Sequence, residues 1–134
     1  MDLIHLEDPD GDHCIVRVTG RQPGLPAGND VLRAEVLAHA SFVDARLELY
    51  LFQHDLDAWK DELSGLVPGT GALIGGDRGL SLVLHMQEDR SLVVAINDPD
   101  RLSVMLWIRP PENWIAEHHD RLEQVRQTWP SEAL

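Results

Sequence analysis

The chain holds one cysteine, one lysine and one tyrosine among 134 residues, and it is short of positive charge as a whole. Each scarcity excludes something. A lone Cys14 cannot form an internal disulfide, so the fold has to be held by its core, which a chain of this length can build unaided. No apolar run approaches the roughly 20 residues that a membrane-spanning helix needs. The start, MDLIHLEDPD, is acidic and strand-like and carries no basic leader segment, which leads us to expect a cytoplasmic protein. With 11 basic against 23 acidic residues, the formal net charge is -12. Such a field repels nucleic acid and anionic membranes and favours a basic protein partner. Lys60 is the only lysine against ten arginines, a bias of high-GC bacterial genomes.

What is present reads as one α+β domain over 1–134. Apolar residues make up 43% of the chain, and they fall in a strict every-second-residue pattern over several stretches. The pattern predicts strands at 2–6, 13–19, 31–39, 42–52, 80–87, 91–97 and 102–108, with a short one possible at 72–74. Helical spacing predicts a helix at 55–66, with Leu56, Trp59, Leu63 and Leu66 on one face and Asp55 as N-cap. A second helix at 112–128 opens on Pro110 and Pro111 and carries the stripe Trp114, Ile115, His118, Leu122, Val125 and Trp129. Strands that follow one another without crossover helices make an antiparallel, mostly meander sheet of about seven strands, with the two amphipathic helices packed on it. Segments 20–29 and 71–79, rich in glycine, read as loops.

The stretch Glu7-Asp8-Pro9-Asp10-Gly11-Asp12-His13 suggests a calcium loop, because aspartates alternate. An EF-hand loop, however, places glycine at position 6 and glutamate at 12; counted from Asp8, those positions hold His13 and Thr19. A three-residue hairpin turn, with Gly11 left-handed in a G1 bulge, accounts for every residue. It sets Leu6 opposite Cys14, Ile4 opposite Val16 and Asp2 opposite Val18, so that the apolar residues share a face. The second Asp-Pro-Asp, at 98–100, is the same turn solution used again and not a mark of duplication.

No residue pattern specifies catalysis or a cofactor. His5, Glu7 and His13 share the solvent side of the first hairpin and are a conceivable ligand set, but they lack a fourth member. His118 lies in an apolar stripe and reads as a packing residue, and Cys14 alternates with core positions. The segment Leu73-Ile74-Gly75-Gly76-Asp77-Arg78-Gly79 lacks the Lys-Ser/Thr end of a phosphate loop. The binding candidates are Arg46 and Glu48, facing Arg33 and Glu35 across strands, together with Tyr50 and Trp107, because Trp, Tyr and Arg dominate interface hot spots. Were the sheet to curl, these four would instead line a small-ligand pocket. A homodimer through a sheet edge or aromatic face is a third expectation.

Several segments together carry a family resemblance: Asp2-Leu3-Ile4, Asp10-Gly11, Val16-Arg17-Val18, Asp30-Val31-Leu32, Arg46-Leu47-Glu48-Leu49, Asp55-Leu56-Asp57-Ala58-Trp59, and the C-terminal Trp114, Arg121-Leu122 and Trp129-Pro130. They resemble a family of small actinobacterial proteins catalogued only as a domain of unknown function, which transfers no catalytic residues. A looser resemblance is to immunity proteins of bacterial polymorphic toxin systems, in which a strand pair, a D-L-x-x-W helix and a strand meander recur. It implies a non-catalytic, acidic inhibitor of a basic toxin.

Overall fold

A computed structural model describes residues 1–22, 30–76 and 79–130. The chain runs β1 (Asp2–Glu7), β2 (His13–Gln22), β3 (Val31–Ala40), β4 (Val43–Leu51), α1 (Gln53–Ser64), β5 (Gly71–Gly75), β6 (Ser81–Met86), β7 (Leu92–Asp98), β8 (Leu102–Ile108) and α2 (Trp114–Thr128). It is α+β and antiparallel, but the strands form two four-stranded meanders, β1-β2-β3-β4 and β5-β6-β7-β8, and not one sheet of seven. The expected alternation holds on β3 and β6, while β2 and β7 also bury Ile15 and Val93 on their outward sides. What it does not reveal is that α1 divides the strands into two sheets, because a two-residue period tells which face is buried and not which sheet a strand joins.

Several boundaries differ from expectation. Residues 71–75, where the glycine-rich segment leaves room for a short strand at 72–74, form β5, with Ala72 and Ile74 turned into the core. Residues 20–22 extend β2 past a bulge at Val18 and Gly20; the remainder of that expected loop, 23–29, lies outside the described residues, as does the tail from 131. Asp55 is not the N-cap of α1 but its third residue. There its carboxylate accepts the Phe52 N–H at 2.8 Å and satisfies a helix-entry donor from inside the first turn. α2 begins at Trp114, and Pro111 supplies the carbonyl for the entering turn, 3.2 Å from the Trp114 nitrogen.

One continuous cluster of buried side chains takes in the inward faces of both sheets and both helices. Trp59, Leu56 and Leu63 enter it from α1, and Trp114, Leu122 and Val125 from α2. The helix backbones approach the first strand of each sheet, α1 beside β5 and α2 beside β1. Each first strand is an edge, with backbone donors that no neighbouring strand takes up. On β5, the Leu73 N–H donates to the Glu62 carboxylate of α1 at 2.9 Å. On β1, the His5 N–H donates to His118 Nε2 of α2 at 3.0 Å. The two halves thus repeat one scheme, four strands and a helix, with each helix closing the edge of the other half's sheet.

The first turn forms as the G1 bulge predicts: the Asp8 N–H donates to Asp12 O at 2.8 Å, the Gly11 N–H to Asp8 O at 2.9 Å, and Gly11 has φ +97°. Leu6 pairs with Cys14 and Ile4 with Val16. Asp2 departs from expectation. A register shift between Asp2 and Ile4 places it opposite Arg17, and the Val18 N–H goes to Met1 O at 2.8 Å instead. The β6–β7 turn copies the same hydrogen bonds, Gln87 N–H to Ser91 O and Arg90 N–H to Gln87 O, both 2.9 Å, but fills the left-handed position with Arg90 at φ 67°. A side chain there is strained by about 1 kcal/mol relative to glycine. Chemical denaturation is therefore expected to show Arg90→Gly stabilising the protein by about 0.5–1 kcal/mol and Gly11→Ala destabilising it by about 1 kcal/mol or more.

His118 is 1% exposed, and both ring nitrogens are engaged. The Trp114 carbonyl, 2.6 Å away, can only accept, so Nδ1 carries the proton and Nε2 is left bare for the His5 N–H. Burial, reinforced by the nearby Arg121 and His5, pushes the imidazole down to about 4; the Trp114 carbonyl and Glu117 oppose this shift. Because the folded value lies below the unfolded one, the unfolded chain binds the proton first, and stability falls as pH drops from about 6.5 towards 4. Urea titrations across this range are expected to lose up to about 3 kcal/mol at pH 4, with His118→Leu flattening the slope.

Candidate functional site

The four binding candidates do not converge. Arg46, Glu48 and Tyr50 stand on the outward face of β4, in the first sheet, and Trp107 stands on the outward face of β8, in the second. The first sheet's outward face is an ion-pair lattice. Glu35 lies between Arg17 on β2 and Glu48 on β4, and Arg46 donates to both Glu35 carboxylate oxygens at 2.8 Å. Arg17 donates to Asp2 at 2.8 Å, and His5 Nδ1 lies 3.1 Å from the other Asp2 oxygen. Partial burial on its own would raise the Asp2 carboxyl, but the bonds from Arg17 and His5 outweigh it and hold the group below its ordinary value. Charges satisfied in this way keep an open sheet face solvated. Tyr50 remains 49% exposed at the edge of that lattice.

Among the described residues, no three His, Cys, Asp or Glu side chains gather to hold a metal ion. His5 is turned to Asp2, and His13 stacks on His39 with ring centroids 5.2 Å apart. Cys14 is fully buried, and burial raises its thiol to about 12, which removes it as a nucleophile at neutral pH.

Trp107 has other company. It is 63% exposed and lines an open cleft of about 850 Å³ between the β1–β2 and β6–β7 turns, with Asp8, Asp10 and Asp12 from the first turn and Glu88 and Asp89 from the second. Five carboxylates thus border it against one guanidinium, Arg109. The turns fold close because Asp8 anchors both its own loop and the end of β8. One carboxylate oxygen accepts the Asp10 N–H at 3.0 Å, and the other accepts the Arg109 N–H at 2.8 Å. Asp89 repeats the loop half of this device: one oxygen accepts the Ser91 hydroxyl at 2.6 Å and the Ser91 N–H at 3.0 Å, and these bonds lower its carboxyl. A second cleft, of about 740 Å³, lies on the far side of Arg109 and runs to Pro110, Pro111 and Trp114.

The same tryptophan belongs to a second surface. The outward residues of the second sheet align across the strands in three rows: Gly71, His85, Val93, Trp107; Leu73, Val83, Ala95, Met105; and Gly75, Ser81, Asn97, Ser103. None of the twelve is Asp, Glu, Lys or Arg, in a chain that is 25% charged. Leu73 is 42% exposed and Met105 57%.

Sequence reasoning identified Trp107 but not the acidic neighbours that share its cleft. Those come from a turn about a hundred residues earlier and from the turn before β7, and nothing local announces the meeting. The uncharged face, by contrast, was readable in the strand phase of 81–85, 93–97 and 103–107.

The profile of a family described as a family of unknown function, DUF5959, matches residues 1–130. No curated protein and no solved structure matches the chain.

With both oxygens of Asp8 already holding backbone N–H groups, the aspartate turn is a poor calcium loop. Millimolar calcium is expected to leave the melting temperature unchanged in a thermal scan, and a rise of several degrees would overturn that reading.

Proposed function

The chain belongs to this family of unknown function, which assigns it no activity, and we propose from its surface that it is a non-catalytic, acidic protein-interaction module that binds a basic protein. It acts as an immunity-type inhibitor or a regulatory partner. The observation that carries this reading is the cleft in which Trp107 meets Asp8, Asp10, Asp12, Glu88 and Asp89. An exposed indole attracts a cation to its ring face, and carboxylates around it supply charge-assisted hydrogen bonds to the same cation. An arginine or lysine on a partner finds both there, while the net charge of -12 speeds the encounter.

The reading is tested by co-purification from the cells that make the protein. A basic protein is expected in the eluate at low salt and to weaken about tenfold towards 0.5 M salt as the field is screened. The variant D10N/D12N/E88Q/D89N, altered only at exposed or half-buried turn positions, is expected to lose that protein while keeping the native melting temperature. A partner that binds this variant as tightly, or the recovery of no basic protein, would overturn the reading.

A further inference from the structure

We infer that the outward face of the second sheet is the platform on which the apolar part of that basic partner docks, with the partner's cations reaching the carboxylate cleft at the Trp107 end. The inference rests on the basic-partner reading and adds where the partner lies and what else it must carry.

At a charge content of 25%, twelve outward positions would hold about three ionised side chains; these, of which Val93 alone is buried, hold none. The first sheet's outward face offers the contrast, with Arg17 paired to Asp2 and Arg46 to Glu35. The second sheet instead offers Leu73, Met105 and Trp107 on a plane, the composition of an interface centre, where charge is depleted and Trp and Met are enriched. Trp107 is the hinge between the two chemistries, because it stands in the row with Gly71, His85 and Val93 and also lines the acidic cleft.

Charge decides the occupant. A second copy of this chain would pair the face with itself about a two-fold axis lying in the interface. An axis along the strands brings the Glu88 and Asp89 end of one copy to the same end of the other. An axis across the strands brings it to the opposite end, where the turn after β7 presents Asp98 and Asp100. Each turn also carries one arginine, Arg90 or Arg101, but the carboxylates outnumber it at both ends, so like charges meet either way. A partner with apolar side chains followed by arginines meets no such repulsion.

The probe is a short peptide in which leucine alternates with serine before a run of arginines, compared with a peptide in which every leucine is serine. Fluorescence polarisation at physiological salt is expected to show the leucine peptide binding about tenfold more tightly. The exposed-site variant L73S/M105S is expected to abolish that advantage, leaving affinity for the all-serine peptide and the melting temperature unchanged. Equal affinity of the two peptides for the wild-type protein would overturn the platform while leaving the basic-partner reading intact, and a failure of both peptides to bind would overturn both. A wild-type protein that sediments as a dimer, and as a monomer when L73S/M105S is introduced, would assign the face to a second copy and overturn the inference.

Discussion

Closing the edge of each first strand is the constraint on which the rest of the fold turns. β1 and β5 begin their sheets, and each carries backbone donors with no strand to receive them. On β1, where the edge is partly buried, a backbone donor left without a partner costs up to about 1–3 kcal/mol; on β5, where the edge is exposed, a bare edge invites pairing with another chain. The solution is the same at both seams and chemically different at each. Glu62 reaches from α1 to the Leu73 N–H, and His118 reaches from α2 to the His5 N–H. Since α1 follows the first sheet and closes the second, and α2 follows the second and closes the first, neither half is complete alone. An ion pair between Arg126 of α2 and Asp57 of α1 links the two closing helices directly. The neutral state of His118 follows from its task. An imidazole that must accept from one backbone group and donate to another has no room for a second proton.

This arrangement explains which parts of the structure were legible in the residues. Strand phase and helix stripes were, because burial imposes them locally: Leu82, Leu84 and Met86 face inward on β6, as Leu92, Val94 and Ile96 do on β7. The first turn was legible to the level of its hydrogen bonds, because only Gly11 suits the left-handed position. The partition into two sheets was not, since it depends on which edges and helices meet in space and not on local periodicity. β5 was legible only as a possible short strand at 72–74, because of its composition. Its glycines read as a loop, yet Gly71 and Gly75 lie where the chain runs close to neighbours. A Cβ on Gly75 would come within 2.9 Å of the Leu80 carbonyl oxygen and 3.0 Å of Leu49, so the glycine marks a close approach between the two sheets and not a lack of structure.

Repetition is a matter of architecture here and not of motif. The two Asp-Pro-Asp turns use the same local bond, an aspartate oxygen accepting the N–H two residues on, 3.0 Å for Asp8 and Asp10 and 3.1 Å for Asp98 and Asp100. They sit between β1 and β2 in one half and between β7 and β8 in the other, which are not equivalent places. The turns that do share a full geometry, 8–12 and 87–91, share only the aspartate at their third position, Asp10 and Asp89, and one holds its left-handed position with glycine while the other uses Arg90. Turn chemistry answers to the hairpin it closes, so it recurs wherever that hairpin does.

The two outward faces then divide two requirements that most small proteins meet with a single surface. The first sheet meets solvation with charged side chains, among them the pairs Arg17–Asp2 and Arg46–Glu35. The second sheet gives up charge altogether, and the unpaired acids are displaced to its ends, at Glu88 and Asp89 on one side and Asp98 and Asp100 on the other. On the proposed reading, the carboxylates that border this uncharged plane, on a protein of net charge -12, oppose its pairing with a second copy and favour a cationic surface. On that reading one placement of charge sets partner choice, with Trp107 standing where the plane meets the acids.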